Sequence, residues 1–298
     1  MNAPVRHDIL CAPQQYQQLF NEFDPTTRTL WSFMKPTGRA CFNVDLLKDI
    51  ADFEDTLRVN RGFYQAAGEL LPVNFVVFAS SIPGIFNLGG DLATFRAKIQ
   101  SGDKNTLKQY AYRCIDNIWN RLNHYHTDIA TISLIQGQAL GGGFEAALTA
   151  DVLIAEEGSV LGLPEILFNL FPGMGALSLL ARRIGLRRAE EIVLSGETYT
   201  AQTLHEWGVV DVLAPQGEGK QAVEKWIKLN SRRRNGYRAV QRSKQHIMPI
   251  RYDELIGIAD IWVDSAMQLE ERDLKMMGRL VQAQNKIGTT MQFNYVVS

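Results

Sequence analysis

Cysteine is scarce. The 298 residues include three, Cys11, Cys41 and Cys114, an odd count at wide spacing with no Cys-x-x-Cys pair. That argues against a disulfide framework and the common zinc motifs, and fits reduced thiols in a cytoplasmic protein. Excess charge is also missing: 31 basic side chains face 32 acidic ones, a net charge of -1. No overall field draws the chain to nucleic acid or an anionic membrane. Nowhere do apolar residues run for the roughly 18 positions a membrane helix needs. The first twenty residues, MNAPVRHDILCAPQQYQQLF, lack the apolar stretch of a signal peptide. Low-complexity segments and short repeats are absent too. What remains is a chain of ordinary apolar content, 46%, long enough for one large domain or two smaller ones. The expectation is a soluble cytoplasmic protein.

Patterning divides the chain coarsely. The first twenty-odd residues read as a polar, irregular arm. Arg28 to Met34 is a candidate strand, closed by Lys35-Pro36-Thr37-Gly38. Leu46, Leu47, Ile50, Phe53 and Leu57 have helical spacing, as do Tyr110, Cys114, Ile118 and Leu122. Three short apolar runs, Val73 to Ser80, Ile129 to Gly137 and Asp151 to Glu157, read as buried strands. IPGIFNLGGDL reads as a loop. Helices follow at GALSLLARRIG and LRRAEEIVLSG, then a strand at VVDVLAP. From Val223 only helical patterns remain, the last running from Asp253 to Gln284 with a break near Glu270 to Asp273. Strands tied by helices or loops predict an α/β fold with crossover connections, and the helical tail reads as a separate layer or an oligomerisation element.

Four features carry the chemistry. One buried strand runs into Gly89-Gly90-Asp91 and another into Gly141-Gly142-Gly143, each loop opening a helix. Glu145 follows the second loop, and Glu165 comes twenty residues later in LGLPEI. A helix start offers free N–H groups and a positive dipole end, and glycine lets a substrate approach them. Two such loops aimed at one point can form an oxyanion hole, with a thioester carbonyl as a fitting target. Two carboxylates beside it can move protons, one as base and one as acid, with pKa values raised by burial. Each feature alone has a plain structural reading: a tight turn, a dipole-favoured glutamate, a Pro-Glu helix start. Their order and spacing together favour the functional one.

At these residues the chain resembles the crotonase (enoyl-CoA hydratase/isomerase) superfamily. The matching blocks are VVFASSIPGIFNLGGDL, the run from Ile129 to Gly185, and AEEIVLSGETYTAQTLHEWGVVDVLAP, so similarity extends from Val73 to Pro215. The resemblance implies a spiral of ββα units over residues 1–222, including the N-terminal arm, and a helical region over 223–298 for oligomerisation and pocket closure. It implies backbone oxyanion donors at Gly90 and Gly142, an acid/base pair of Glu145 and Glu165, and a homotrimer or hexamer. No cofactor is implied. GRACF, FNLGGDLA, GQALGGGFEAAL, GLPEILFNLFPGMGA and IWVDSAMQL together resemble one subfamily more narrowly, the diffusible signal factor synthases of bacterial quorum sensing. That implies dehydration of a 3-hydroxyacyl group on acyl carrier protein, with acyl-CoA as the other thioester to consider, then thioester hydrolysis to a free cis-2-unsaturated fatty acid. It also implies a membrane sensor kinase as a second partner. Glu145 is assigned mainly to the hydroxyl or water and Glu165 mainly to the α-proton. The segment before Val73 matches the generic hydratases poorly, so their CoA contacts do not carry over.

Trp262, Met267, Phe171 and Met174 are the candidates for an acyl pocket; core or subunit-interface packing is the competing reading. His124 and His126, two apart, do not share a helix face, and no third ligand joins them, so no metal site is expected. Arg232-Arg233-Arg234 reads first as a solvated face; an acidic carrier protein is the partner such a patch would suit, and nucleic acid is not expected. Two other readings stay open: an ordinary enoyl-CoA hydratase, and a regulatory binding protein on the same scaffold.

Overall fold

The computed structural model describes residues 16–293. In chain order, β1 (Leu19–Asp24), β2 (Thr29–Met34), α1 (Val44–Val59), β3 (Phe63–Ala66), β4 (Glu69–Pro72), β5 (Phe75–Ser80), β6 (Ile85–Asn87), α2 (Leu92–Gln100) and α3 (Lys104–Leu122) form the first half. Next come β7 (Ala130–Ile135), β8 (Gln138–Leu140), α4 (Gly142–Leu148), β9 (Val152–Glu156), β10 (Val160–Gly162), α5 (Ala176–Ile184), α6 (Leu186–Ser195), β11 (Thr198–Thr200), α7 (Ala201–Glu206) and β12 (Val212–Ala214). Helices α8 (Gly219–Ser231), α9 (Arg234–Ile247), α10 (Tyr252–Ala266) and α11 (Glu271–Phe293) close the described chain.

One sheet has the order β1-β2-β5-β7-β9-β12 and a second the order β11-β10-β8-β6. Three successive turns each place one strand in either sheet: β5 then β6, β7 then β8, β9 then β10. Helical segments join the turns, and the pairings of β5 with β7 and of β7 with β9 are parallel. This is the expected α/β spiral of ββα units. The central strands are buried along their whole lengths at β7 and β9, as parallel strands covered on both faces must be. On one face α8 contributes Val223 and Ile227 to a core with Phe75, Val77, Ile132 and Ile154. On the other, α1 and α3 pack into the larger core. Side-chain caps set the helix starts: Asn43 accepts from Leu46 N, Asp91 from Thr94 N and Asp103 from Thr106 N.

Three sequence expectations change. The arm of twenty-odd residues is shorter: Leu19–Asp24 is an edge strand, antiparallel to β2 with Leu19 opposite Met34. Its own apolar pattern is weak, and its neighbour supplies the pairing. Residues 1–15 lie outside the described ones. The stretch read as a loop after Ser80 contains β6, three buried residues recruited by β8 in the second sheet. Phe63 to Pro72 forms a hairpin, β3 with β4, which the pattern gave no reason to expect. The helix expected from Asp253 onward does break, between Ala266 and Glu271.

Candidate active site

The two glycine loops meet. Gly89 has a φ of +95°, and a Cβ there would lie 2.8 Å from Leu140 O and 3.1 Å from Gly142 N. A Cβ on Gly142 would stand 3.5 Å from Gly90 N. A side chain at Gly89 would separate the loops, so that glycine is what allows the two amides to converge. Buried Asn87 steadies the first loop by accepting from Gly89 N at 2.8 Å. Asp91 caps α2 and pairs with Arg39 at 2.6 Å. Among the described residues, neither the Gly90 nor the Gly142 amide donates a turn, loop or cap bond to another backbone carbonyl. Both residues line the cavity described below, which leaves their amides free to serve an incoming oxygen.

Glu145 sits in the first turn of α4 and is 2% exposed. Its Oε1 accepts from Met174 N at 2.8 Å and Ala176 N at 3.1 Å, the amides that open α5. Burial raises its pKa to about 7, and the two backbone donors oppose that rise. Glu165 lies in a 3-10 turn, Pro164–Phe168. The residue is partly exposed but its carboxyl end is not: Oε2 is shut off from solvent and has no hydrogen-bond partner. Burial, then the charge of Glu145, raises its pKa to about 8. The coupled pair therefore keeps a shared proton near neutrality. Glu145, with its two amide donors, is the readier carboxylate, and Glu165 holds the proton in the resting pair. Gly141 is fixed by the same contact. Its φ is +52°, and a Cβ would come within 2.5 Å of Glu165 Oε1.

Both glutamates, Gly90 and Gly142 line one cavity with Met174 and Trp262. Trp262 is buried, crosses the ring of Phe95 at 5.2 Å and packs on Gly173, where a side chain would collide with it. Phe95 in turn lies against Tyr110 and Gly90. Phe171 and Met267 do not line this cavity; both are partly buried and pack against the core. Sequence reasoning missed Glu54, Asn117 and Arg121, which line the same cavity. Their signal was present: Tyr110, Cys114, Asn117 or Ile118, and Arg121 share one face of α3, and two of the set are polar. His124 is engaged elsewhere, with Nε2 2.8 Å from Asp151.

Residues 71–273 match the enoyl-CoA hydratase/isomerase family. Mitochondrial methylglutaconyl-CoA hydratase of Mus musculus is 30% identical over 193 residues, 64% of this chain and 56% of that protein. The chain thus spans about half the length of the curated relatives it matches. An enoyl-CoA hydratase from Bacillus halodurans superposes with a TM-score of 0.72 at 17% identity, over 88% of this chain and 100% of that one. DspI of Pseudomonas aeruginosa does so with a TM-score of 0.66 at 23% identity, over 80% and 90%. At these identities the structural matches speak for the fold alone.

Proposed function

The chain belongs to the enoyl-CoA hydratase/isomerase family, and from that premise we propose that it adds and removes water across the Cα–Cβ bond of acyl thioesters. The observation that carries this reading is the coupled, buried pair Glu145 and Glu165 in one cavity with two converging glycine amides. In dehydration, Glu165 as carboxylate takes the α-proton, and charge develops on the thioester oxygen between the Gly90 and Gly142 amides. Glu145 as acid gives its proton to the departing 3-hydroxyl, which leaves as water. The pair ends with the proton on Glu165, the arrangement its environment favours. Hydration runs the same steps backward, so one shared proton serves both directions.

The finer reading is a signal synthase. It dehydrates a 3-hydroxyacyl group on acyl carrier protein to the cis-2-enoyl thioester. It then hydrolyses that thioester: a glutamate takes a proton from water as the hydroxyl adds to the carbonyl carbon, the same amides hold the tetrahedral oxyanion, and its collapse breaks the C–S bond as the glutamate returns the proton to the departing thiolate. The subfamily blocks around Glu145 and Glu165 and the distant IWVDSAMQL support it, since Trp262 from that tail and Met174 beside Glu145 both line the cavity. Charge supports the carrier: α9 has no acidic residue of its own, and while Arg238 is paired with Asp128, Arg242 and Lys244 are exposed on it. A homotrimer or hexamer, a sensor-kinase partner and a cytoplasmic setting belong to the same proposal.

Incubation with a medium-chain 3-hydroxyacyl carrier protein, read by mass spectrometry, separates the readings. Free cis-2-enoic acid supports the synthase; an enoyl thioester without free acid supports an ordinary hydratase. Neither product, or product undiminished in the double variant Glu145→Ala/Glu165→Ala, would overturn the mechanism.

A further inference from the structure

The cavity extends away from the glutamates between α1 and α3. Its near end is marked by Tyr110, whose hydroxyl lies 3.6 Å from where a Cβ on Gly90 would stand. From Tyr110 to Arg121 the lining face of α3 runs about 16 Å along the helix axis. Cys114 and Ile118 of α3 and Leu47 and Ile50 of α1 give the middle of that run an apolar lining, interrupted by Asn117. The far end is mixed. There Glu54 and Arg121 line it beside Phe53, Phe78 and Tyr125, with Asn117 one turn before Arg121; Glu54, Asn117 and Arg121 are 3%, 7% and 5% exposed.

Two of the three, Asn117 and Arg121, are incompletely satisfied. The Arg121 guanidinium lies over the Phe78 ring at 4.7 Å, and Nη2 donates to Ile132 O and Ser133 Oγ. Its Nε–H has no acceptor, and no carboxylate stands within ion-pair distance among the described residues. Asn117 Nδ2 donates to Leu47 O, which fixes the amide, and leaves Oδ1 without a donor. Glu54 accepts one long bond, 3.3 Å, from Asn120. A cavity built only for a methyl-ended chain gains nothing from such groups: filling it with hydrocarbon leaves a guanidinium N–H and an amide oxygen sealed from water.

We propose that Glu54, Asn117 and Arg121 form a recognition site for an oxygen group at the far terminus of the acyl chain, a hydroxyl or a carboxylate. The preferred thioesters are then ω-oxygenated. A terminal oxygen accepts from Arg121 Nε–H. A hydroxyl also donates to Asn117 Oδ1, whereas a carboxylate compensates the guanidinium charge. The distance from the reacting end sets chain length at the same time, because the terminus must reach Arg121 while the carbonyl sits at Gly90 and Gly142. This inference rests on the cavity being the acyl site of the proposed reaction.

The test uses the full-length protein and three CoA thioesters of equal length: trans-2-decenoyl-CoA and its ω-hydroxy and ω-carboxy counterparts. At least one oxygenated substrate should exceed the methyl-ended one about tenfold or more in kcat/KM, as expected for a charged hydrogen bond lost on binding the wrong chain. The better of the two identifies the terminus. Arg121→Met should reverse or abolish that preference. Calorimetric binding of the saturated analogues to the unmodified protein gives a second ranking that needs neither the variant nor turnover. Equal or better binding of the methyl-ended chain overturns the inference while leaving the proposed reaction intact. Absence of turnover with all three substrates counts against the reaction, and the calorimetric ranking then still decides the inference.

Discussion

Replacing Glu165 by glutamine removes one proton carrier and keeps the shape of the side chain. Its carboxyl accepts no side-chain hydrogen bond that the substitution would break, and Oε2 is unpartnered. The loss of a positioned acid/base is worth about 10²–10⁴ in kcat, or about 3–5 kcal/mol of barrier. Stability should move the other way. In the folded protein burial and the Glu145 charge raise the Glu165 pKa from 4.5 to about 8. A carboxyl with a raised folded pKa favours folding most below its unfolded value, and that contribution is lost as pH rises toward the folded value. Over that window the wild type loses about 1.4 kcal/mol per pH unit to this group, less whatever repulsion Glu145 relieves. Glutamine suffers no such loss. Thermal unfolding should therefore show variant and wild type close at pH 5 and the variant several degrees more stable at pH 8.5, at about 2–4 °C per kcal/mol. Hydration of a trans-2-enoyl-CoA, followed by loss of the conjugated thioester's absorbance, reads the rate. A variant within tenfold of wild-type activity, or melting temperatures that run parallel across pH, would refute the placement of Glu165 as a buried proton carrier.

Gly141→Ala should also abolish most activity, because a Cβ at φ +52° would lie 2.5 Å from Glu165 Oε1; the strain costs about 1–3 kcal/mol, measurable by denaturant unfolding. Gly90→Ala drives a methyl group to 2.6 Å from the Phe95 ring; the displaced amide should cost about 10²–10³ in kcat with a smaller change in KM, in steady-state kinetics. Trp262→Ala empties the contact with Gly173 and Phe95, and should destabilise the protein by about 3–5 kcal/mol in urea titrations. The pH profile of kcat/KM should be bell-shaped, with both limbs well above the ordinary carboxylate range, because both glutamates are raised; a single limb near pH 4 would exclude the shared-proton state.

Much of the spiral was legible because its information is local. Val73 to Ser80 and Ile129 to Gly137 are predominantly apolar, as a strand buried on both faces has to be. Elements held by their neighbours were not legible. β1 reads as polar chain until β2 pairs with it, and β6 has three residues that mean little without β8. The hairpin of β3 and β4 has no strong turn dipeptide to announce it. The acyl-pocket candidates divided on the same principle. Helical spacing marks Trp262 and Met267 alike as inward-facing, and only packing decides that Trp262 reaches the cavity while Met267 and Phe171 serve the core.

The sequence by itself determined the backbone logic of the site: glycines where two loops must touch, a helix start beside them, and a glutamate in each of two turns. Those choices are local, since a positive φ or an open helix N-terminus constrains the residue that occupies it. Tertiary structure alone decided what the groups do to one another. It brought Gly90 to Gly142, set Glu145 on the amides of α5 and Glu165 against Gly141, and let the charge of one glutamate raise the pKa of the other. It also placed Glu54 and Arg121, from two helices far apart in the chain, at the end of the same cavity. Burial and through-space charge depend on distances between distant segments, and no spacing along the chain encodes them.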